Sequence, residues 1–178
     1  MLLDRNLSQL LVVDMQERLA PAVAGIDAVE QACRQLLEGA RELAVPVLVS
    51  EQYPRGLGPT LASLLPLIEG NVPHEKMEFS CFANPGLRRA LGVGRQTVIC
   101  GIEAHVCVLQ TALEMKLAGH DVVLVADAVA SRRPENRVLA LERAARAGIE
   151  IVSTEMVLFE WLRSAAAPAF KSVSRLIR

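Results

Sequence analysis

SQLLVVD, Ser8 to Asp14, decides the fold. Its centre is apolar without interruption, carries two β-branched valines and is bounded by polar residues. A run of that kind reads as a strand buried on both faces, the signature of a parallel sheet. AVEQACRQLLEGAREL, Ala28 to Leu43, follows it and places Val29, Ala32, Cys33, Leu36, Leu37, Ala40 and Leu43 on one helical stripe, with Asp27 available as a cap. VPVLVS, Val45 to Ser50, is then a second buried strand. Strand, long helix, strand is a βαβ unit.

The pattern extends along the chain. EQYPRGLGPT, Glu51 to Thr60, has two prolines and two glycines and reads as a loop. A helical turn or two is expected over Leu61 to Leu65, a weak third strand over Asn71 to Glu75, and a short helix from Pro85 to Leu91. Gln96 to Gly101 and Asp121 to Ala126 are strands. Between them His105 to Ala118 is a helix stopped by Gly119. Pro134 to Ala147 is a helix, Glu150 to Ser153 a short strand, Thr154 to Leu162 a helix, and Pro168 marks the start of a last one. The sum is an α/β three-layer sandwich, with a six-stranded, mostly parallel sheet covered by helices on both faces. No repeat or linker interrupts it, so residues 1–178 are expected to form a single domain.

Composition narrows the function. The chain has 178 residues, 52% of them hydrophobic and 22% charged, so it is large and apolar enough for a full core. Its net charge is -1, which steers it neither to nucleic acid nor to an anionic membrane. No run reaches the 18 or so apolar residues of a membrane span. The start MLLDRNLSQL breaks the apolar run of a secretory signal with Asp4 and Arg5. The four cysteines, Cys33, Cys81, Cys100 and Cys107, lack metal-knuckle spacing and read as free thiols of a reducing compartment; a cytoplasmic location is the expectation.

Ligands of open parallel sheets bind outside the carboxyl ends of the strands, where the strand order reverses. Asp14, Glu51, Glu75, Lys76, Gly101 and Asp127 stand at such ends. Cys107 falls at the expected start of the helix after the fourth strand, where a helix N-terminus lowers thiol pKa values and free amides can bind an oxyanion. A buried structural thiol is the other reading of Cys107. Asp14 is either a general base beside Cys107 or an ordinary turn cap. Lys76 is either a stabiliser of both anions or a solvated lysine. His105, two residues from Cys107, faces away if the helix has begun. The three histidines show no HExxH or close pairing, and the sequence has no phosphate-binding glycine loop.

LLVVDMQ at 10–16, HEKMEFSCF at 74–82 and CGIEAHVCVLQTALEM at 100–115 together resemble the isochorismatase-like cysteine hydrolase superfamily, which includes nicotinamidases and N-carbamoylsarcosine amidases. VSEQYPRGLGPT at 49–60 and VADAVASR at 125–132 bring the similarity closest to the isochorismatase-domain-containing proteins. The resemblance covers nearly the whole chain. It implies the Rossmann-like fold of that superfamily and a catalytic set of Asp14, Lys76 and Cys107. It also implies a cis peptide at Ile102–Glu103, and an oxyanion hole formed by the backbone N–H groups of Glu103 and Cys107. Nicotinamidases of the superfamily hold a metal with an Asp and two His after the second strand. Here Glu51, Tyr53 and Arg55 occupy that neighbourhood, so no metal and no cofactor are expected.

The reading that follows is a hydrolase that cleaves the C–N bond of a small amide through a thioester on Cys107. A non-catalytic scaffold that kept the fold and a metal-dependent nicotinamidase are the alternatives. The substrate pocket is expected to be small and mostly apolar, with Met15, Gln16, Glu51, Tyr53, Phe79 and Phe82 as its candidate lining. Both phenylalanines have a second reading as core, and Glu51 as a carboxylate bracing its loop. The partners expected are a small-molecule substrate and further copies of the same chain, with the loop at 51–60 and the helix bearing Phe159 and Trp161 as contact elements.

Overall fold

The computed structural model describes residues 1–177. Six strands form one sheet: β1 (Ser8–Val13), β2 (Val47–Gln52), β3 (His74–Lys76), β4 (Gln96–Ile102), β5 (Asp121–Ala130) and β6 (Glu150–Val152). Their order is β3-β2-β1-β4-β5-β6, and every pairing is parallel. The helices are α1 (Ile26–Glu42), α2 (Pro54–Leu57), α3 (Pro85–Ala90), α4 (Leu109–Leu117), α5 (Pro134–Arg146), α6 (Thr154–Leu162) and α7 (Phe170–Leu176).

The chain builds outward from β1 to β2 and β3, then returns across β1 to start β4. That reversal leaves a crevice at the carboxyl ends of β1 and β4. Every residue of β1 is buried. Its side chains alternate, Leu10 and Val12 entering the core under α1 and α6, Leu11 and Val13 the core under α3, α4 and α5. Trp161 of α6 is 1% exposed and donates its indole N–H to Ser8 Oγ at 3.0 Å. It is therefore a core anchor and not an exposed contact residue.

Four local readings change. β5 does not stop at Ala126 but continues to Ala130, with its register against β4 shifted between Ile99 and Gly101. Asp127 thus lies inside the strand, where its Oδ1 accepts from the N–H and hydroxyl of Thr154 at the start of α6. Gly25, in the left-handed conformation, caps α1, and Asp27 sits within its first turn. The segment after β4 enters its helix through a wide π-type turn, Ala104–Val108, before α4 begins at Leu109. Pro54–Leu57 coils into α2 within the loop after β2.

Gly101 sets the closeness of β1 and β4 at the crevice. Its φ is +110°, and a Cβ built on it would lie 2.1 Å from the carbonyl oxygen of Val13. Only glycine allows that approach, which brings the residue after Val13 beside the segment carrying Cys107.

Candidate active site

Asp14 leaves β1 with φ +50°, a left-handed conformation rare for a residue with a side chain. The turn sends its carboxylate into the crevice, where it is fully buried. Lys76, the last residue of β3, meets it there: Nζ lies 2.8 Å from Asp14 Oδ2, and both side chains are wholly excluded from solvent. The ammonium also donates to Gln52 Oε1 at 2.6 Å and to the Phe79 carbonyl at 3.1 Å. An ammonium has three protons, and all three are used. Lys76 therefore has no donor left for a substrate; it fixes and neutralises Asp14, and does not reach a developing oxyanion. Burial alone would lower its pKa, but the charge of Asp14, with its hydrogen bond, leads the effects that hold it above the ordinary 10.5.

Asp14 Oδ1 accepts a hydrogen bond of 2.7 Å from Ser50 Oγ at the end of β2. Both carboxylate oxygens are thus held, one by a cation and one by a hydroxyl.

Cys107 lies in the π-type turn and is 5% exposed. Its carbonyl accepts from Thr111 Oγ1 at 2.6 Å, and the same hydroxyl oxygen accepts the Cys81 N–H at 2.8 Å. Its thiol faces a cavity of about 260 Å³ lined by Leu19, Gln52, Leu57, Phe79, Glu103, Val106 and Arg132. A helix-terminal thiol was expected to have a lowered pKa. The structure reverses that expectation: burial, and then the negative charge of Asp14, push Cys107 well above the ordinary thiol range, against the opposing pull of Lys76. At neutral pH the site holds a thiol beside a buried carboxylate–ammonium pair, and not a preformed thiolate.

The Ile102–Glu103 peptide is cis. The Glu103 carbonyl accepts the N–H groups of Val106 and Val108, and the Glu103 carboxylate pairs with Arg132, whose Nε lies 3.0 Å from Oε1. His105 Nδ1 lies 2.9 Å from Ser131 Oγ, so its ring engages β5's far end and not Cys107.

The candidate lining residues separate. Phe79 is exposed and stands on the cavity wall. Phe82 does not: it is buried, with its ring 5.1 Å from that of His120 at 74° and 4.7 Å from the Arg88 guanidinium. Met15 is fully buried in the core under α1, because the left-handed turn at Asp14 rolls the next residue away from the crevice. Gln16 spends its amide on the loop, donating to the carbonyls of Gln52 at 3.0 Å and Gly58 at 2.7 Å and accepting the Gln52 N–H at 2.8 Å. Glu51 is the loop brace, its Oε1 accepting both the N–H and the hydroxyl of Thr60 at 2.7 Å. Tyr53 lies half-exposed over Gly56 and lines a separate groove with Arg55 and Glu78. Ser50, Gln52, Leu57, Val106 and Arg132 were absent from the sequence-derived set. Ser50 and Gln52 carried one signal, their place at the end of β2; the others become neighbours only through the fold.

The donor set of a metal site is also missing here. Glu51 is committed to Thr60, Tyr53 points away, and among the described residues no group of three or more His, Cys, Asp and Glu side chains could hold an ion.

Comparison with known proteins agrees with this architecture. Residues 8–156 match the isochorismatase domain. The chain is 42% identical over 169 residues to isochorismatase domain-containing protein 1 of Danio rerio, covering 93% of this chain and 59% of that one. It is 37% identical over 172 residues to isochorismatase domain-containing protein 2 of the same fish, covering 96% and 86%. Among solved structures, the MAR1 ribonuclease of Caenorhabditis elegans superposes with a TM-score of 0.91 at 34% identity, covering 99% of this chain and 92% of that one. The chain belongs to the isochorismatase family, a hydrolase family. Some relatives are longer: this chain spans 59% of the first of them.

Proposed function

We propose that this chain is a metal-independent cysteine hydrolase acting on the C–N bond of a small amide. The observation that carries the reading is the fully buried Asp14–Lys76 pair beside Cys107, which itself lines a partly open, largely apolar cavity. Because the thiol is protonated at rest, catalysis begins with proton transfer from Cys107 to Asp14, and the sulfur attacks the amide carbonyl as the proton leaves. Lys76 pairs with Asp14 and holds it aimed without touching the substrate. The N–H groups of Glu103 and Cys107, which flank the turn at the cavity wall, receive the oxyanion. The proton on Asp14 passes to the departing nitrogen, leaving a thioester. Water, deprotonated by the same carboxylate, then releases the acid and restores the thiol.

The cavity supports a compact substrate. Its walls are Leu19, Leu57, Phe79 and Val106, and its cation, Arg132, is already paired with Glu103. That composition favours a small planar amide over a polyanion such as RNA.

The test is a hydrolysis screen of small amides, reading released ammonia or acid, with C107A and D14N alongside. Loss of turnover in both variants, unchanged by chelator, is the expected result. Turnover that survives C107A, or that needs added zinc, overturns the reading.

A further inference from the structure

Ser50 and Cys81 stand outside the mechanism above, yet both are buried against it. Ser50 is 0% and Cys81 0% exposed. Ser50 Oγ lies 2.7 Å from Asp14 Oδ1, and Cys81 Sγ lies 3.4 Å from Ser50 Oγ. The direction of these bonds follows from the chemistry of the groups. A carboxylate only accepts, so the single hydroxyl proton of Ser50 goes to Asp14. The Ser50 oxygen is then left to accept, and the Cys81 S–H supplies the donor. Cys81 can do so because burial, and then the charge of Asp14, push its thiol up to about 11 and keep it protonated. The Cys81 backbone is in turn fixed by Thr111, the residue that holds the Cys107 carbonyl.

We propose that Ser50 is a positioning residue for Asp14, locked as a donor by the Cys81 thiol, and that its hydroxyl sets the pH range over which the site can take the proton from Cys107. The inference rests on the reading of Asp14 as the base. Four groups face the Asp14 carboxylate or its partners: Lys76 from β3, Ser50 from β2, Cys81 from the segment after β3, and Cys107 from the turn after β4. The other two carboxylates nearby are turned away, Glu103 to Arg132 and Glu51 to Thr60. A hydrogen bond donated to an anion favours the charged form, so the cluster without Ser50 keeps its proton to higher pH.

The experiment follows iodoacetamide labelling of Cys107, read by mass spectrometry of its peptide, from pH 4 to 9. It needs no substrate. In the wild type the rate rises along an acid limb to a plateau. In S50A the midpoint of that limb moves up by about one pH unit, the scale set by loss of one charged hydrogen bond. S50C, nearly isosteric but a weak donor, moves it the same way and serves if S50A does not fold; S50T, which keeps the hydroxyl, restores the wild-type midpoint. A rate lowered equally at every pH, with the midpoint unmoved in both S50A and S50C, overturns the proposal and reduces Ser50 to packing. Absence of Cys107 labelling in the wild type at any pH sinks the nucleophile reading itself, a result distinguishable from the first.

Discussion

Lys76→Met isolates the cost of the buried ion pair. The substitution keeps length and apolar stem while deleting the ammonium. Asp14 is then a fully buried carboxylate with Ser50 as its remaining side-chain donor, and the Gln52 Oε1 and Phe79 carbonyl lose theirs. Removing one partner of a buried pair costs about 3–5 kcal/mol, because the surviving charge is uncompensated. For a chain of this length that corresponds to a fall of about 10 °C in melting temperature. Thermal and urea unfolding followed by circular dichroism at pH 7 measure it. The double variant D14N/K76M removes both charges and should recover at least half of the loss, since the penalty belongs to the orphaned charge and not to the missing contact. A K76M protein melting within about 2 °C of the wild type would refute the burial argument, and a double variant less stable than K76M would show that the pair acts through packing.

Three further outcomes follow from the same geometry. Stability should decline above pH 9: Cys81 titrates near 9.0 unfolded but about 11 folded, so its contribution is complete below 9.0 and is lost as pH rises towards 11. Lys76, also raised, loses stability in the same alkaline direction, and at pH 10.5 urea titration should find C81S spared about 2 kcal/mol of the wild-type decline. G101A forces a Cβ to 2.1 Å from the Val13 carbonyl and should destabilise by more than about 4 kcal/mol or prevent soluble expression; a melting temperature near that of the wild type would refute the close approach. Sedimentation should give a species larger than 19.3 kDa, because Leu2, Met156 and Phe159 expose an apolar groove of about 580 Å³ between the N-terminal segment and α6; a single monomeric species at micromolar concentration counts against it.

The centre of the sheet was legible because β1 and β4 are buried throughout, on both faces. Runs such as LLVV and TVIC have no polar alternation to confuse them. β5 was read short because Ala126 and Asp127 interrupt its apolar pattern with half-buried and exposed positions, although the backbone pairing resumes beyond them. The turn carrying Cys107 was read as ordinary helix, since apolar spacing over five residues does not separate a π-type turn from an α-helical one. Asp14, Lys76 and Cys107 stood out as polar or reactive residues at strand ends. Their mutual distances depend on strand order, which no local pattern encodes. Met15 and Gln16 were misassigned for one reason: the left-handed backbone at Asp14 reorients everything after it, and sequence gives no sign of positive φ at an aspartate. The direction of the Cys107 shift was likewise a property of burial, and burial of the turn is tertiary.

The loop after β2 is fastened at both of its edges. Gln16 clasps Gln52 and Gly58, Glu51 clasps Thr60, and the N–H groups of Glu17 and Arg18 reach the carbonyls of Pro59 and Leu57. Such a segment moves with the sheet, as masonry and not as a hinged door. Leu57 is therefore a fixed wall of the cavity. Elsewhere on the wall Phe79 is 55% exposed and the Arg132 side chain reaches solvent, so the chamber meets water at those two side chains and not through the masonry of the loop.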